Sequence, residues 1–173
     1  YDEKNNPTLN HEGVHKIVYN YNKYWWYLGV SYKGQYGEAI NDTRGISHMV
    51  LNLTPSGFLS NLSYVDKNQK PILGPEGFHS MQNYYNDMDA LVRTSIYGTY
   101  QRLSNNTEGV ADYVYNLNSS GQTIRVSLYD ADSNLTEDLE GVAEYYYEAT
   151  LNGLYYLEKQ LNAQGEELPQ GDI

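Results

Sequence analysis

Histidine is the side chain in this sequence best suited to acid–base or metal chemistry near neutral pH, and the chain contains His11, His15, His48 and His79. His11 and His15 have a His-x-x-x-His spacing, but they span a predicted loop and the start of a predicted strand, without an acidic third ligand. Nucleophilic catalysis has no support, because no G-x-S-x-G elbow and no cysteine is present. The histidines are expected to be structural or surface residues, and neither an enzyme nor a cofactor is expected.

Asp130, Asp132 and Asn134 are similar to the opening of a calcium-binding loop, where alternate Asp and Asn side chains supply oxygen ligands. The pattern then departs from such a loop. Leu135 stands where the tight turn needs Gly, and Gly141 stands where a bidentate Glu belongs. Asp and Asn side chains also hydrogen-bond their own backbone in turns. A turn is therefore the expected role of these residues, and a weak calcium site is the alternative.

Asparagine supplies the next candidates, because six Asn residues head an Asn-x-Ser/Thr sequon with x not Pro. They are Asn41, Asn52, Asn61, Asn105, Asn118 and Asn134. Glycosylation is one reading, and the chance occurrence of sequons in polar loops is the other. Attached glycans would indicate an extracellular or cell-surface protein.

Aromatic side chains are the candidates for ligand contact. The chain has 20 Tyr, 2 Trp and 2 Phe, and rings with a hydroxyl suit a half-hydrated pleated surface. Trp25 and Trp26 fall at a predicted hairpin turn, where other parts of the sequence have Gly57, Gly121 and Gly153. Exposed rings there could stack on bound glycans. The alternative is that they cover the open end of the array or contact a neighbouring chain.

A 32-residue repeat positions all of these residues. Its most regular members are Gly13, Gly45, Gly77, Gly109 and Gly141. After the first of them, Ile17, Tyr19 and Tyr21 alternate with mostly polar residues, which predicts a strand. A Gly-containing turn and a second alternating run, such as residues 123–129, complete a hairpin. One hairpin is marginal in water, so each unit must bury surface against its neighbours.

The predicted fold is all-β, with about ten strands stacked as an extended antiparallel sheet or a β-solenoid. Residues 1–173 form a single array, with units at about 1–31, 32–63, 64–95, 96–127 and 128–159 and a partial unit at 160–173. Asp2, Asp66 and Asp130 mark the odd units, whereas Gly34 and Gly98 take their place in the even units. A 64-residue pair is therefore an alternative building block. Residues 137–163 suit a helix or a strand, and the repeat register favours strand.

Acidic residues are concentrated near the C-terminal end. The formal net charge is −11; residues 130–173 contain 11 acidic residues and 1 basic residue, a balance of −10 that leaves −1 for residues 1–129. Such a chain repels phosphate backbones, so nucleic acid is not an expected partner. No apolar run approaches the roughly 20 residues that span a bilayer, so no membrane span is expected. The start at Tyr1, without Met or a signal-like segment, fits a processed or excised chain.

Two segments carry a resemblance to a known family: YNLNSSGQTIRVSLYDADSN at 115–134 and SYVDKNQKPILGPEGFH at 63–79. They resemble the tyrosine-aspartate (YD, RHS-like) tandem β-hairpin repeats of large bacterial surface and secreted proteins. The resemblance implies an extended β-sheet scaffold outside the cell, without catalysis of its own. The unit here is longer than is usual in that family, and Asn68, Asp132 and Ser133 stand at turns where Gly is common.

The expected function is therefore that of a non-enzymatic structural protein, a segment of an extracellular filament, stalk or adhesin. Residues 1–13 and 161–173 occupy the same phase of the repeat, which suggests that copies of the chain join head to tail. A solubilising role of the acidic C-terminal quarter is the opposing reading. The alternatives are an adhesin module that binds glycans through Tyr and Trp, and a piece of an RHS-like toxin-delivery shell. Glycoside chemistry by paired carboxylates stays open, since such pairs meet only in space, but unbroken repeats argue against a unique active site.

Overall fold

The protein is all-β, as expected, in a computed structural model that describes residues 8–149 and 155–169. Ten antiparallel strands follow one another in a single open sheet, in the order β1 to β10, and no helix occurs in the described ranges. The strands are β1 (Lys16–Tyr21), β2 (Tyr27–Lys33), β3 (His48–Leu53), β4 (Leu59–Val65), β5 (Ser80–Tyr85), β6 (Leu91–Tyr97), β7 (Asp112–Leu117), β8 (Thr123–Tyr129), β9 (Glu144–Ala149) and β10 (Tyr155–Leu161). Of the two predicted arrangements, the extended antiparallel sheet is therefore the one observed.

Strand positions recur along the chain with a constant interval. The odd-numbered strands start at residues 16, 48, 80, 112 and 144, and the even-numbered strands start at 27, 59, 91, 123 and 155. Both series advance by the spacing of the repeat glycines, which is consistent with the predicted two-strand repeat. The segment 137–163, for which the sequence allowed a helix or a strand, contributes β9 and β10.

Two compact units divide the chain after Met81. Unit 1, residues 1–81, contains β1 to β4 and the beginning of β5, and unit 2, residues 82–173, contains the remainder of β5 and β6 to β10. Within each unit, consecutive strands pair antiparallel, and the hairpin pairs contain a register shift, for example between Asn20 and Tyr21 or between Asn116 and Leu117.

The described repeats place a residue with positive φ at the same turn positions. Just before the odd strands the repeat glycines have φ between 78° and 89°, a left-handed conformation that a Cβ atom disfavours. The other two turns tolerate other residues: Trp25 and Asp89 take the hairpin position, and Gln69, Gln101 and Ser133 take the position after the even strands. The five repeat glycines thus share one left-handed conformation.

Short polar side chains complete these turns. In the turn that contains the repeat glycine, Oδ1 of Asn106 accepts hydrogen bonds from the backbone N–H of Glu108 (2.9 Å) and of Val110 (3.0 Å). Asn10, Asp42 and Asp138 occupy the equivalent position and accept bonds from the residues two and four further along. The side chain therefore fixes the turn by supplying an acceptor to two backbone donors that would otherwise lack one.

The apolar core lies at the end of the strands where the chain passes from one hairpin to the next. The residue after each repeat glycine is buried there; these residues are Val14, Ile46 and Phe78 in unit 1 and Val110 and Val142 in unit 2. In unit 2, Ile96 and Leu128 are buried near the ends of β6 and β8. Each such side chain contributes roughly 1.5–3 kcal/mol relative to exposure to water. The end of the first hairpin, by contrast, carries the exposed rings of Tyr21, Tyr24 and Trp25.

Candidate functional site

A cleft of about 470 Å³ lies in unit 2, over the face of β7, β8 and β9 that carries tyrosine side chains. Its floor and walls are tyrosine, valine and leucine side chains, and its rim is acidic. The lining includes Tyr113, Tyr115, Tyr145 and Tyr147, over Val126 and Leu128, with Glu108, Asp138 and Glu140 at the rim. We call this feature the tyrosine cleft.

Strand register brings these residues together. Val126 on β8 lies opposite Tyr115 on β7 and opposite Tyr145 on β9, and Leu128 lies opposite Tyr113. Because side chains alternate between the two faces of a strand, Tyr113 and Tyr115 share a face, as do Tyr145 and Tyr147. The result is a row in which an aliphatic side chain is flanked by an aromatic ring on either side.

Two of the four tyrosines are held by carboxylates of the rim. The hydroxyl of Tyr113 donates to Oε2 of Glu108 (3.1 Å) and accepts a bond from Nδ2 of Asn106 (3.0 Å). The hydroxyl of Tyr145 donates to Oδ2 of Asp138. The rings therefore have fixed orientations, and the carboxylates hold negative charge at the rim of the cleft.

The same environment makes the phenols poor acids. Burial raises the pKa of Tyr113 to about 12, the Asn106 bond lowers it, and the nearby charge of Glu108 raises it. Burial and the bond to Asp138 raise the pKa of Tyr145 above its ordinary value. Burial and the neighbouring Tyr115 raise the pKa of Tyr147. These hydroxyls therefore stay protonated throughout the physiological pH range.

Alkaline pH is expected to destabilise the protein partly through Tyr113. The pKa of this group is raised from 10.0 to about 12 on folding, so its contribution is complete below pH 10 and is lost between about pH 10 and pH 12. Tyr113→Phe should therefore reduce the slope with which the free energy of unfolding falls in that interval, measured by urea unfolding at several pH values. Tyr100→Phe, which removes an exposed hydroxyl, is the control; an unchanged slope in Tyr113→Phe would contradict the assignment.

The first hairpin carries a second aromatic cluster, and here the structure separates the two tryptophans. Trp25 has 83% of its surface exposed. It takes φ 65°, a left-handed conformation that Gly57 adopts at the same position of the next hairpin. Trp26 is 38% exposed, and a Cβ atom on Gly57 would lie only 3.1 Å from its ring. Tyr21 and Tyr24 contact the two tryptophans, with ring centroids 6.3 Å from Trp25 and 5.8 Å from Trp26. Trp26 therefore packs on the next turn, whereas Trp25 presents its ring to solvent.

Two of the predicted glycosylation asparagines have a structural role that the sequence did not show. Oδ1 of Asn41 accepts a bond from the backbone N–H of Lys67 (2.7 Å), and Oδ1 of Asn105 accepts one from Ala131 (2.8 Å). Both bonds join a residue to a turn in the next repeat. Their shared column is thus explained by a contact between repeats, and glycosylation of either residue stays a prediction.

The other four sequons differ in how their side-chain amides are used. The Nδ2 atoms of Asn61, Asn118 and Asn134 donate to Met81 O, Gln122 Oε1 and Asp130 respectively. The side chain of Asn52 lies exposed on β3. Because the attached sugar would replace a hydrogen of Nδ2, Asn52 is the most accessible of these four acceptors.

Asp130 stabilises a turn, which was the role expected for it from the sequence. Its Oδ1 atom accepts the backbone N–H groups of Asp132 (3.0 Å) and Asn134 (2.8 Å), and the bonds from Asn134 lower the pKa of Asp130. Across residues 8–149 and 155–169, no three His, Asp or Glu side chains are placed to hold a metal ion together.

None of the four histidines is among the residues that line the tyrosine cleft. Nδ1 of His15 lies 2.8 Å from Thr8 O, and Nδ1 of buried His79 lies 2.8 Å from Tyr64 O. Burial lowers the pKa of His48, and the charge of Lys33 lowers it further. His15 and His79 thus tie loop segments to the fold, in keeping with a structural role.

The tyrosine cleft itself was missed from sequence, although a signal was available. Tyr113 and Tyr115 recur one repeat later as Tyr145 and Tyr147, and within each pair the two tyrosines are separated by a single residue, as on one strand face. The acidic rim comes from loops whose position depends on the turns, so spacing along the chain did not reveal it. No protein-family model matches this chain, and a search of curated proteins found no match. None of the described residues belongs to a helix long and apolar enough to cross a membrane.

Proposed function

We propose that this chain is a non-enzymatic structural repeat module of an extracellular filament, stalk or adhesin. The observation that supports the proposal is the uniformity of its construction. The same pair of strands, a left-handed glycine and a buried apolar residue after it recur once in every repeat. A chain built in this way adds length by adding units, each of which buries surface against its neighbours.

Contacts between successive repeats add to this support. Besides the bonds that Asn41 and Asn105 accept, Oε1 of Glu137 accepts the backbone N–H of Ala163 (2.9 Å), at the same separation along the chain. The unit-1 loops are also joined by a backbone bond from Thr43 N to Glu12 O (3.0 Å). Such bonds hold a loop to the loop of the next repeat, which suits a module that resists bending or extension.

Electron microscopy of the purified chain at increasing concentration tests whether copies join head to tail. Filaments are expected, because β1 is the first strand of the sheet order and an edge strand offers unpaired backbone groups for strand addition. Tyr19→Lys places a charge on that edge strand and should shorten or abolish the filaments. Discrete particles of wild-type protein at every concentration would rule out the filament. The proposed joining segments include residues 1–7 and 170–173, which lie outside the described residues.

A second candidate function, glycan binding by an adhesin module, is favoured by the exposed ring of Trp25. A tryptophan in the left-handed conformation carries a backbone cost of roughly 1–2 kcal/mol, and strain of this kind is often retained at binding sites. Trp25, Tyr21 and Tyr24 together form an exposed aromatic surface of the kind that stacks on sugar rings.

Trp25→Gly separates the two candidate functions. Relief of the left-handed strain offsets the lost ring contact, so the free energy of unfolding should stay unchanged or rise by about 1 kcal/mol. Binding on a glycan array should be lost in the same variant, whereas Tyr100→Gly should retain it. Absence of glycan binding by the wild-type chain would contradict the second candidate and leave the structural proposal unaffected.

A further inference from the structure

We propose that the tyrosine cleft of unit 2 binds a compact organic cation, a quaternary ammonium or a protonated alkylamine group. This inference is independent of the filament proposal and of the aromatic surface on the first hairpin. It depends on the chemistry of the lining residues, on their charge and on the spacing that the sheet imposes.

The cleft presents aromatic faces to its interior. Four tyrosines line the cleft, and the rings of Tyr113 and Tyr145 are fixed by hydrogen bonds to Glu108 and Asp138. A phenol that donates to a carboxylate gains electron density in its ring, which strengthens the attraction of the ring face for a cation. Several such rings around one volume form the aromatic cage typical of ammonium recognition.

The charged residues that line the cleft are all acidic. Glu108, Asp138 and Glu140 lie at its rim, and none of the described residues that line it is basic. The basic residues of β8 and β10 face away: Arg125 and Lys159 both lie over the ring of Tyr146, with their charged groups 6.0 Å and 4.9 Å from its centroid. Tyr146 stands between Tyr145 and Tyr147 in β9 and so belongs to the opposite face of the sheet. The lining of the cleft therefore carries a net negative charge.

The strand register sets the spacing between the rings of the cleft. Tyr115 and Tyr145 flank Val126 from the strands on either side of it. Neighbouring strands are about 4.8 Å apart, so rings that rise upright from the two flanking strands lie about 5 Å to either side of a group above Val126. That separation is within the ~6 Å over which a cation is attracted by a ring face. The small valine leaves room between the rings, whereas a larger side chain would fill it.

A cation also fits better than a neutral sugar. The hydroxyls of Tyr113 and Tyr145 already donate to carboxylates, so the polar groups that remain at the rim are mostly acceptors. A sugar presents donors and acceptors together, and a site that recognises it needs both. An alkylammonium group presents only positive, donor-like surface.

Comparison with the earlier repeats indicates that the fold does not require these four aromatic rings. Two repeats earlier, the positions of Tyr113, Tyr115, Tyr145 and Tyr147 are occupied by Met49, Leu51, Met81 and Asn83. These earlier repeats fold with the same strands and turns although the four positions lack rings. The aromatic residues of the cleft are therefore a feature beyond what the fold demands.

Calorimetric titration with choline, compared with its neutral isostere 3,3-dimethylbutan-1-ol, tests the inference. Saturable binding of choline to one site per chain is expected, at least tenfold tighter than binding of the isostere because the two differ chiefly in charge. Added salt should weaken choline binding, since part of the attraction is to partly exposed carboxylates. Equal affinity for the two compounds, or no saturable choline binding, would overturn the proposal.

Variants locate the site. Tyr115→Leu and Tyr147→Leu should each weaken choline binding about threefold to tenfold, and Tyr115→Phe should retain most of it because the ring remains. Glu140→Gln should weaken binding of choline and leave that of the isostere unchanged. Tyr100→Leu, an exposed tyrosine of the same unit outside the cleft, should bind as wild type. Wild-type affinity in both Leu variants of the cleft would place the cation elsewhere and overturn the proposal.

Discussion

Gly29→Ala is expected to destabilise the protein more than any other glycine substitution among the described residues, by about 4 kcal/mol or more. Gly29 lies in β2, opposite Asn20 on β1 and Val50 on β3, and takes φ 117°. A Cβ atom there would lie 1.9 Å from the backbone oxygen of Met49. The obstacle is backbone rather than a flexible side chain, so β3 would have to move and its pairing with β2 would be lost.

Gly121→Ala is the matched control for Gly29→Ala. Gly121 has φ 79° and stands in a hairpin turn where nothing lies within 4 Å of an added Cβ atom. Only the left-handed conformation opposes alanine there, which costs about 1 kcal/mol. Urea unfolding of both variants gives the comparison; similar losses in the two would show that the close approach of Met49 does not constrain β2.

The repeat position that Gly29 occupies shows how far the sequence predicts this fold. The repeat position of Gly29 is occupied by Asn61, Arg93, Arg125 and Leu157 in the later units. Periodicity predicts that all five residues lie in even strands, which they do. It could not show that β3 approaches Gly29 so closely, because that distance depends on the packing of two strands that belong to different hairpins.

Polar residues on the sheet face opposite the tyrosine cleft also have partners that the sequence alone does not reveal. Arg93 forms an ion pair with Asp112, and Oγ of Ser95 donates to Oδ1 of Asp112 (2.7 Å). The network recurs in the next repeat with Arg125, Ser127 and Glu144. Ser95 and Ser127 are one repeat apart in the sequence, but their partners come from the next strand and change from Asp112 to Glu144. Residue type alone did not pair them, whereas the strand register does.

Turn chemistry was the part of the sequence that predicted structure most directly. Asn, Asp and Gly clusters marked the turns, and Asp130 was expected to bind its own backbone, as it does. The tyrosine cleft was not predicted, because its rim depends on loops that fold back beside the strands. Local hydrogen bonds are encoded within a few residues, whereas a cleft needs the registry of three strands and two loops at once.

Asp42→Ala is expected to be the most damaging change to any turn, with a loss of about 2–4 kcal/mol in the free energy of unfolding. The side chain of Asp42 is only 1% exposed. Its Oδ1 atom accepts the backbone N–H groups of Arg44 and of buried Ile46, both at 2.9 Å, and its Oδ2 atom accepts two bonds from the Arg44 guanidinium. Alanine would leave the buried N–H of Ile46 without this acceptor, and a buried unsatisfied donor is costly.

Asp42→Asn distinguishes the turn from the ion pair. Asn10 and Asn106 occupy the same position in other repeats and accept the same two backbone bonds through Oδ1. Asparagine at position 42 should therefore keep the turn and lose the charge-assisted bonds to Arg44, whose guanidinium can turn toward water because its side chain is 47% exposed. Thermal and urea unfolding should place Asp42→Asn much closer to wild type than to Asp42→Ala. If the two variants are equally destabilised, the ion pair rather than the turn acceptor holds this loop in place.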